Sequence, residues 1–364
     1  MAAPQFHSLC VKRVSPEAAG AVAICFDIPP ALRAQFSFAP GQYLTLRARI
    51  NGVEVRRNYS ICSPRSRLDS QGEIEIGIRP VAGGLFSNWA AHSLTAGHWL
   101  EVLPPEGKFV VSRPRALHRV GFAAGSGITP ILSIMASTLE AAPHSKFTLV
   151  YGNRRMATVM FNEALQDLKD RYRDRLTLIH ILSRQAQESD LLQGRIDGPK
   201  VNALMATLLP AASMDEVFVC GPDAMMDATV AALLGAGVAP ARIHLERFSA
   251  ALPPGVKLPA EPDGRPAEAS AADVNLTVTL DGKQYELRAG KDEALLDAAL
   301  EAGLDVPYSC KSAVCSTCRA RLLAGTVRMD KNFTLDARDI AAGYILSCQA
   351  RATSPAVAIS YDDR

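Results

Sequence analysis

The chain has 364 residues, 48% of them hydrophobic and 21% charged, with a formal net charge of +2. That length suggests two or three domains, each with apolar residues enough for its own core. The near-balanced charge offers no footprint for nucleic acid, no apolar run approaches the roughly 20 residues of a membrane span, and Met1–Arg13 lacks the apolar stretch of a secretory leader.

Residues 1–112 read as short alternating strands broken by turn residues, among them Val22–Ile28, Tyr43–Ile50, Val53–Tyr59 and Glu73–Val81. Asn51-Gly52 joins the second and third as a two-residue hairpin signal. Even strand spacing predicts an antiparallel barrel or sandwich. Arg57-Asn58-Tyr59-Ser60 ends one strand, and taken alone it reads as an edge strand with a surface arginine. Downstream, Gly83-Gly84-Leu85-Phe86-Ser87 opens a helix-like stretch whose free N–H groups suit a phosphate. Arginine offers a bidentate partner for pyrophosphate, and tyrosine a flat face for a flavin ring. In this order the motifs resemble the FAD domain of the ferredoxin–NADP reductase superfamily, R-x-Y-S followed by G-x-x-S. The resemblance implies FAD phosphates on Arg57 and on Gly83, Gly84, Leu85 and Ser87. It also implies the isoalloxazine on Tyr59, with Ser60 near flavin N5. Leu103–Phe109 is expected, by the same resemblance, to be the closing strand of the barrel.

Residues 113–250 alternate strand and helix, which predicts a parallel sheet covered by helices. Val120–Ala124 is an apolar strand, followed by Gly125-Ser126-Gly127-Ile128-Thr129-Pro130 and an apolar helix through Leu139. Glycines between strand and helix let the backbone approach a phosphate, although such a turn is as readily structural alone. Strands at Phe147–Val150, Leu176–Leu182 and Val217–Val219 run into Tyr151-Gly152-Asn153-Arg154-Arg155, Ser183-Arg184 and Cys220-Gly221-Pro222. Ligands of such sheets bind at the carboxyl ends of the strands. These stretches, with Glu246-Arg247-Phe248, resemble the nicotinamide-dinucleotide domain of the same superfamily. The resemblance implies a pyrophosphate on Gly125, Ser126, Gly127 and Thr129. It sets Cys220 and Glu246 beside the nicotinamide, where with Ser60 they serve the chemistry, and Phe248 against the flavin. Arg154 and Arg155, with Arg184, flank the expected adenosine ribose; arginine there suits a 2′-phosphate and favours NADPH over NADH, unless the three form a solvated basic edge. Met225 and Met226 read as core filler.

Residues 251–272 hold five prolines and no apolar periodicity, the composition of a semi-extended tether. Residues 273–364 then read as strand Leu276–Leu280, an Asp281-Gly282 turn, strand Gln284–Arg288, a helix around Leu295–Leu300, and strands near Cys318–Leu323 and Val357–Tyr361. Between them Cys310, Cys315 and Cys318 are spaced C-x4-C-x2-C, and Cys348 follows after 29 residues. That is the ligand pattern of a plant-type 2Fe–2S cluster, three thiolates from one tight loop and a fourth from elsewhere. A structural zinc would want two C-x2-C pairs, and only one is present. Cys10, Cys25, Cys62 and Cys220 are left as free thiols, which fits a reducing, cytoplasmic setting. The segment resembles a plant-type ferredoxin with its α+β, β-grasp shape. Relatives usually carry glycine where this chain has Ser312 and Ala313; if the backbone there needs positive φ, alanine costs roughly 1 kcal/mol.

The sequence therefore predicts a multidomain protein: an antiparallel β-barrel for FAD, an α/β parallel-sheet nicotinamide domain and a β-grasp ferredoxin domain. A nicotinamide gives up electrons as a hydride pair, a 2Fe–2S cluster takes one at a time, and a flavin does both. The expected activity is an NAD(P)H-dependent flavoprotein reductase whose acceptor is an oxygenase component, with neither nucleic acid nor membrane as partner. The domain order resembles the reductases of ring-attacking oxygenases. Arg79–Trp89, Met329–Asn332 and Gly343–Gln349 look most like the reductases of the phenylacetyl-CoA ring-epoxidase complexes of aromatic catabolism, which implies a di-iron oxygenase as acceptor. Ketosteroid-hydroxylase reductases share the layout. A non-catalytic electron relay, like the flavin and iron–sulfur protein beside dihydroorotate dehydrogenase, is the alternative of a different class.

Overall fold

A computed structural model describes residues 5–113, 118–248 and 274–363; the expected tether at 251–272 lies outside them. The described residues divide into two compact units, Gln5–Phe248 and a C-terminal one.

The first unit begins with six antiparallel strands, β1 (His7–Pro16), β2 (Val22–Asp27), β3 (Tyr43–Ile50), β4 (Val53–Ser60), β5 (Glu73–Ile78) and β6 (Trp99–Val102), with helices α1 (Arg65–Gln71) and α2 (Leu85–Ser93) inserted. Their order is β4-β3-β6-β1-β2-β5. The sheet curls until its edges meet at a lone bridge, Ile61–Ile76. Leu9, Ile24, Phe26, Leu44, Leu46, Ile74, Ile76 and Phe86 fill the interior. Asn51 and Gly52 take φ of 51° and 81°, the paired left-handed turn that Asn-Gly favours. One expectation needs correction: Leu103–Phe109 is not a strand, and β6 ends at Val102. Pro104 and Pro105 have no N–H to give a ladder, so pairing is limited to the Leu103 N–H on the Thr45 carbonyl at 2.9 Å and to Glu106 with Tyr43.

The second half of this unit is a parallel sheet of β7 (His118–Ala124), β8 (Lys146–Asn153), β9 (Leu176–Leu182), β10 (Glu216–Cys220) and β11 (Ile243–Glu246). Helices α3 (Ile128–Ala141), α4 (Asn162–Arg171), α5 (Gly198–Thr207) and α6 (Asp223–Gly235) connect the strands, whose order is β11-β10-β7-β8-β9. The chain thus reverses direction across the sheet between β7 and β10. Met225 and Met226 are buried in the core, as filler.

Barrel and parallel sheet share one apolar core. Ala21, Ala23, Cys62 and Phe109 of the barrel lie in the same cluster as Ala123, Ile131, Tyr151, Phe161 and Phe218. Glu17 reaches across to accept the Phe161 N–H at 2.8 Å, holding Phe161 at φ 58° in the left-handed region just before α4. At the opposite end of the sheet, buried Glu216 accepts the Ser112 N–H at 2.8 Å, Arg119 Nε at 3.0 Å and His244 at 3.1 Å. Burial alone would push this carboxyl up, but hydrogen bonds from His244, Ser112 and Arg119 hold it at about 2. Removing one partner from such a buried ion pair costs about 3–5 kcal/mol. The linkage therefore fixes the residues that join barrel to sheet.

The C-terminal unit contains β12 (Val274–Leu280), β13 (Lys283–Ala289), α7 (Leu295–Glu301), β14 (Arg319–Ala324), β15 (Val327–Met329), α8 (Ala337–Ala341), β16 (Tyr344–Leu346), β17 (Ala350–Ala352) and β18 (Ala356–Ser360). Its five-stranded sheet, β13-β12-β18-β14-β16, is mixed, with β12 and β18 parallel. Leu276 and Val278 alternate inward along β12 to meet Leu295, Leu296 and Ala299 of α7. The chain between α7 and β14 is the cysteine loop.

Candidate functional site

The carboxyl end of β4 sets Ser60, which is buried, and Tyr59, which is half-buried, opposite Tyr43 and Leu44 of β3. The Tyr59 ring lies 5.6 Å from Phe86 of α2, and Phe86 meets Trp89 edge-on at 5.5 Å. Burial pushes the Tyr59 phenol well up, so it stays neutral. Arg57, two residues earlier, donates from Nη1 to the Arg56 carbonyl at 2.7 Å.

The turn into α2 is built by glycine. Gly83 takes φ 72°, and a Cβ on Gly84 would stand 2.5 Å from Val81 and 2.6 Å from Ser87 Oγ. Asn88 Nδ2 seals the turn on the Val81 and Gly84 carbonyls at 2.8 and 2.6 Å, and Ser87 Oγ accepts the Val81 N–H at 3.3 Å. Leu85 is the first helical residue. The first N–H groups of a helix have no partner inside it, which makes such a turn a fit for phosphate oxygens.

At the reversal between β7 and β10 a second turn, Gly125–Gly127, leads into α3. A Cβ on Gly127 would lie 2.1 Å from the Cys220 carbonyl oxygen, so glycine alone lets the turns after β7 and β10 touch. Gly125 takes φ 54°, and its carbonyl accepts Tyr151 Oη at 2.8 Å. Thr129 donates to the Ser126 carbonyl at 3.0 Å, and its methyl abuts Gly77 of β5. Thr129 therefore shapes the turn and joins it to the barrel, with its hydroxyl already engaged.

Register carries Cys220 and Glu246 to neighbouring positions at the carboxyl ends of β10 and β11. Burial pushes the Cys220 thiol well up, and the charge of Glu246 adds to it. Burial also pushes the Glu246 carboxyl up to about 8. Among the described residues no cation or donor pairs with Glu246. A neutral carboxyl and a neutral thiol side by side can orient an uncharged amide without adding charge. Phe248, two residues on, is exposed.

Arg154 and Arg155 follow β8, and Arg184 follows β9. Their backbones are linked, Arg184 N–H to Arg154 O at 2.9 Å, and Arg155 Nε donates to Arg184 O at 3.4 Å. All three are exposed, and none is in an ion pair among the described residues. Sequence reasoning named Arg79 only within a resemblance, yet its Nη1 lies 2.9 Å from where a Gly125 Cβ would stand. Arg79 has no hydrogen bond or ion pair among the described residues. An arginine at a strand end, four positions before Gly83, was the available signal.

In the C-terminal unit the four cysteines are buried and reduced. Among the described residues no three His, Cys, Asp or Glu side chains gather around a single-ion point. The thiols approach in two pairs, Cys310 with Cys315 and Cys318 with Cys348. Two thiolates for each of two irons is what a 2Fe–2S cluster requires, whereas zinc would draw all four to one point. Within each pair the shared hydrogen bond holds Cys310 and Cys348 down and pushes Cys315 and Cys318 up. The Ser312 N–H points at the Cys310 sulfur at 3.3 Å, and Gln349 Nε2 lies 3.6 Å from Cys348. Lys311, Ala313 and Ser316 take φ of 52°, 66° and 55°, so of the two positions where relatives carry glycine, Ala313 has positive φ and Ser312 does not.

A glycine turn set against a flavin-type barrel, with a loop of paired, buried cysteines in the same polypeptide, is the layout of an iron–sulfur flavoprotein reductase. Residues 14–111 match the oxidoreductase FAD-binding domain, 122–231 the oxidoreductase NAD-binding domain and 278–353 the 2Fe-2S iron-sulfur cluster binding domain. The chain is 44% identical over 361 residues to a component of the 1,2-phenylacetyl-CoA epoxidase of Escherichia coli (strain K12), covering 98% of each. It is 37% identical over 362 residues to the 3-ketosteroid-9-alpha-monooxygenase ferredoxin reductase component of Rhodococcus rhodochrous, covering 97% of this chain and 96% of that one. Phthalate dioxygenase reductase superposes with a TM-score of 0.61 at 23% identity over 98% of both chains, a likeness of fold. The chain belongs to the family of ferredoxin-bearing reductases that serve oxygenase systems. Its cofactors are accordingly FAD, a 2Fe–2S cluster and NAD(P)H.

Proposed function

We propose that this reductase draws electrons from NADPH, and less well from NADH, and delivers them to a phenylacetyl-CoA epoxidase. The observation that carries the reading is the meeting of Gly127 with Cys220, and of Cys220 with Glu246, at the reversal of a parallel sheet. Bound flavin would take electrons as a pair and pass them singly to the cluster.

The chain's own residues prepare that transfer. Gly125–Gly127 and the start of α3 would receive the dinucleotide pyrophosphate, with the Arg79 guanidinium beside them. Cys220 and Glu246 would orient the carboxamide of the nicotinamide, and Ser60 would face flavin N5. Arg57 and the Gly83–Ser87 turn would hold the FAD phosphates, and Tyr59 and Phe248 would flank the isoalloxazine. Arg154, Arg155 and Arg184, free of carboxylates, favour a 2′-phosphate. Cys310, Cys315, Cys318 and Cys348 would hold the cluster. Eight reduced cysteines support a cytoplasmic setting, and among the described residues no helix is long and apolar enough to cross a membrane. The near-complete identity span with an epoxidase component supports that acceptor, and the span shared with the steroid monooxygenase component supports a steroid oxygenase as second candidate.

The test is anaerobic addition of each nucleotide to the protein loaded with FAD and iron, followed by purified epoxidase or steroid-oxygenase components. NADPH should bleach the cluster faster than NADH, and Arg154→Ala with Arg155→Ala should erase the difference. Cluster bleaching by neither nucleotide would leave the electron-relay reading instead.

A further inference from the structure

We infer that Tyr151, at the carboxyl end of β8, is a positioning residue for the dinucleotide: its hydroxyl pins the Gly125 carbonyl and thereby aims the Ser126 N–H at the pyrophosphate. The inference deepens the dinucleotide reading above and rests on it.

Tyr151 is fully buried in the core that barrel and sheet share. It pairs in register with Ala123 of β7 on one side and with His180 of β9 on the other. Phenylalanine would fill the same space without the cost of burying a hydroxyl. The hydroxyl is used on the Gly125 carbonyl, 2.8 Å away. A carbonyl can only accept, so the phenol donates. Burial pushes its pKa well up, which keeps that proton in place.

The bond matters for what it holds. Gly125, at φ 54°, sits where glycine is at ease, yet glycine is equally at ease in other conformations. A Gly-Ser-Gly turn therefore needs a contact outside itself to select one of them. In a planar trans peptide the C=O of one residue and the N–H of the next point in opposite directions. Tyr151 draws the Gly125 oxygen toward its ring, and the Ser126 N–H consequently faces away from it. The next peptide is fixed as well, because Thr129 Oγ1 donates to the Ser126 carbonyl at 3.0 Å and sets the direction of the Gly127 N–H. The Ile128 N–H meets both carbonyls from inside the turn. N–H groups held this way at the start of α3 suit phosphate oxygens. Tyr151 acts through the peptide it holds and needs no contact with the nucleotide.

The experiment compares wild type and Tyr151→Phe, each the full chain loaded with FAD and iron; equal FAD content checks that the variant is folded. Calorimetric titration uses ADP-ribose, which carries the pyrophosphate but no nicotinamide. Its dissociation constant should be about fivefold to tenfold higher in the variant. In ferricyanide reduction the KM for NADPH and for NADH should rise by one common factor, because both carry the pyrophosphate, while kcat stays within about twofold. N-benzyl-1,4-dihydronicotinamide, a hydride donor without pyrophosphate, should reduce the flavin of both proteins at rates within about twofold. Equal ADP-ribose affinity in the two proteins overturns the proposal. So does slower reduction of the variant by the benzyl donor to the same degree as by NADPH, which would assign the effect to a loosened site. Wild type that binds no ADP-ribose would overturn the dinucleotide reading itself, and this proposal with it.

Discussion

Two loops in this protein, those proposed to meet the dinucleotide and the cluster, hold backbone in the left-handed region by opposite means. The turn Gly125–Gly127 uses residues that adopt the required shape freely, with Gly125 left-handed and Gly127 pressed against the Cys220 carbonyl. The loop Cys310–Cys318 reaches three left-handed positions with Lys311, Ala313 and Ser316. Each such residue costs about 1–2 kcal/mol. The first loop is shaped by its own preferences; the second is held against them, by packing of Ala313 in the core. A dinucleotide that comes and goes needs a turn already formed, whereas a resident cluster can stabilise a reluctant one.

The largest test of this contrast removes ligation. Cys318→Ser should abolish the cluster's visible bands while leaving nucleotide-driven ferricyanide reduction within about twofold of wild type, since that site lies in the separate first unit. Next, Gly127→Ala forces a methyl onto backbone that cannot retreat. Unfolding by urea should show a loss of about 3 kcal/mol, with flavin reduction by nucleotide falling at least a hundredfold. A third test concerns charge. The Glu246 carboxyl, raised to about 8, stays protonated in the folded protein while the unfolded chain ionises in the ordinary carboxylate range. Folding stability should therefore decline as pH rises from that range through about 8, and the rate of flavin reduction should fall near the upper end. Glu246→Gln should flatten both profiles. The smallest effect is expected from Ala313→Gly. Relief of about 1–2 kcal/mol of backbone strain competes with about 0.8 kcal/mol for the lost buried methyl. The net gain, under about 1 kcal/mol, should appear as slower iron loss to a chelator.

The loop that brings buried Cys310, Cys315 and Cys318 together was legible because its C-x4-C-x2-C spacing stands in the sequence itself. The strand ends carrying Arg57–Ser60, Tyr151–Arg155 and Cys220 were legible because glycine and arginine stand out at the edge of apolar runs. Leu103–Phe109 misled because its order suited a closing strand, while two prolines deny it a ladder. What stayed hidden were contacts made by single residues across long separations. Glu17 capping Phe161 spans 144 positions, and Ser112 on Glu216 spans 104. No local pattern announces either. Arg79 was hidden for another reason: only folding shows that its side chain lies beside Gly125 with no hydrogen bond or ion pair among the described residues.

Because Ala21, Ala23, Cys62 and Phe109 share a core with the parallel sheet, the flavin half is not a cassette. A chimera spliced near residue 113 would inherit a sticky face cut for another surface, and so would any isolated barrel. Recombination that shuffles this lineage should preserve the first 248 residues as one heritable block, leaving the ferredoxin as the piece that can be exchanged.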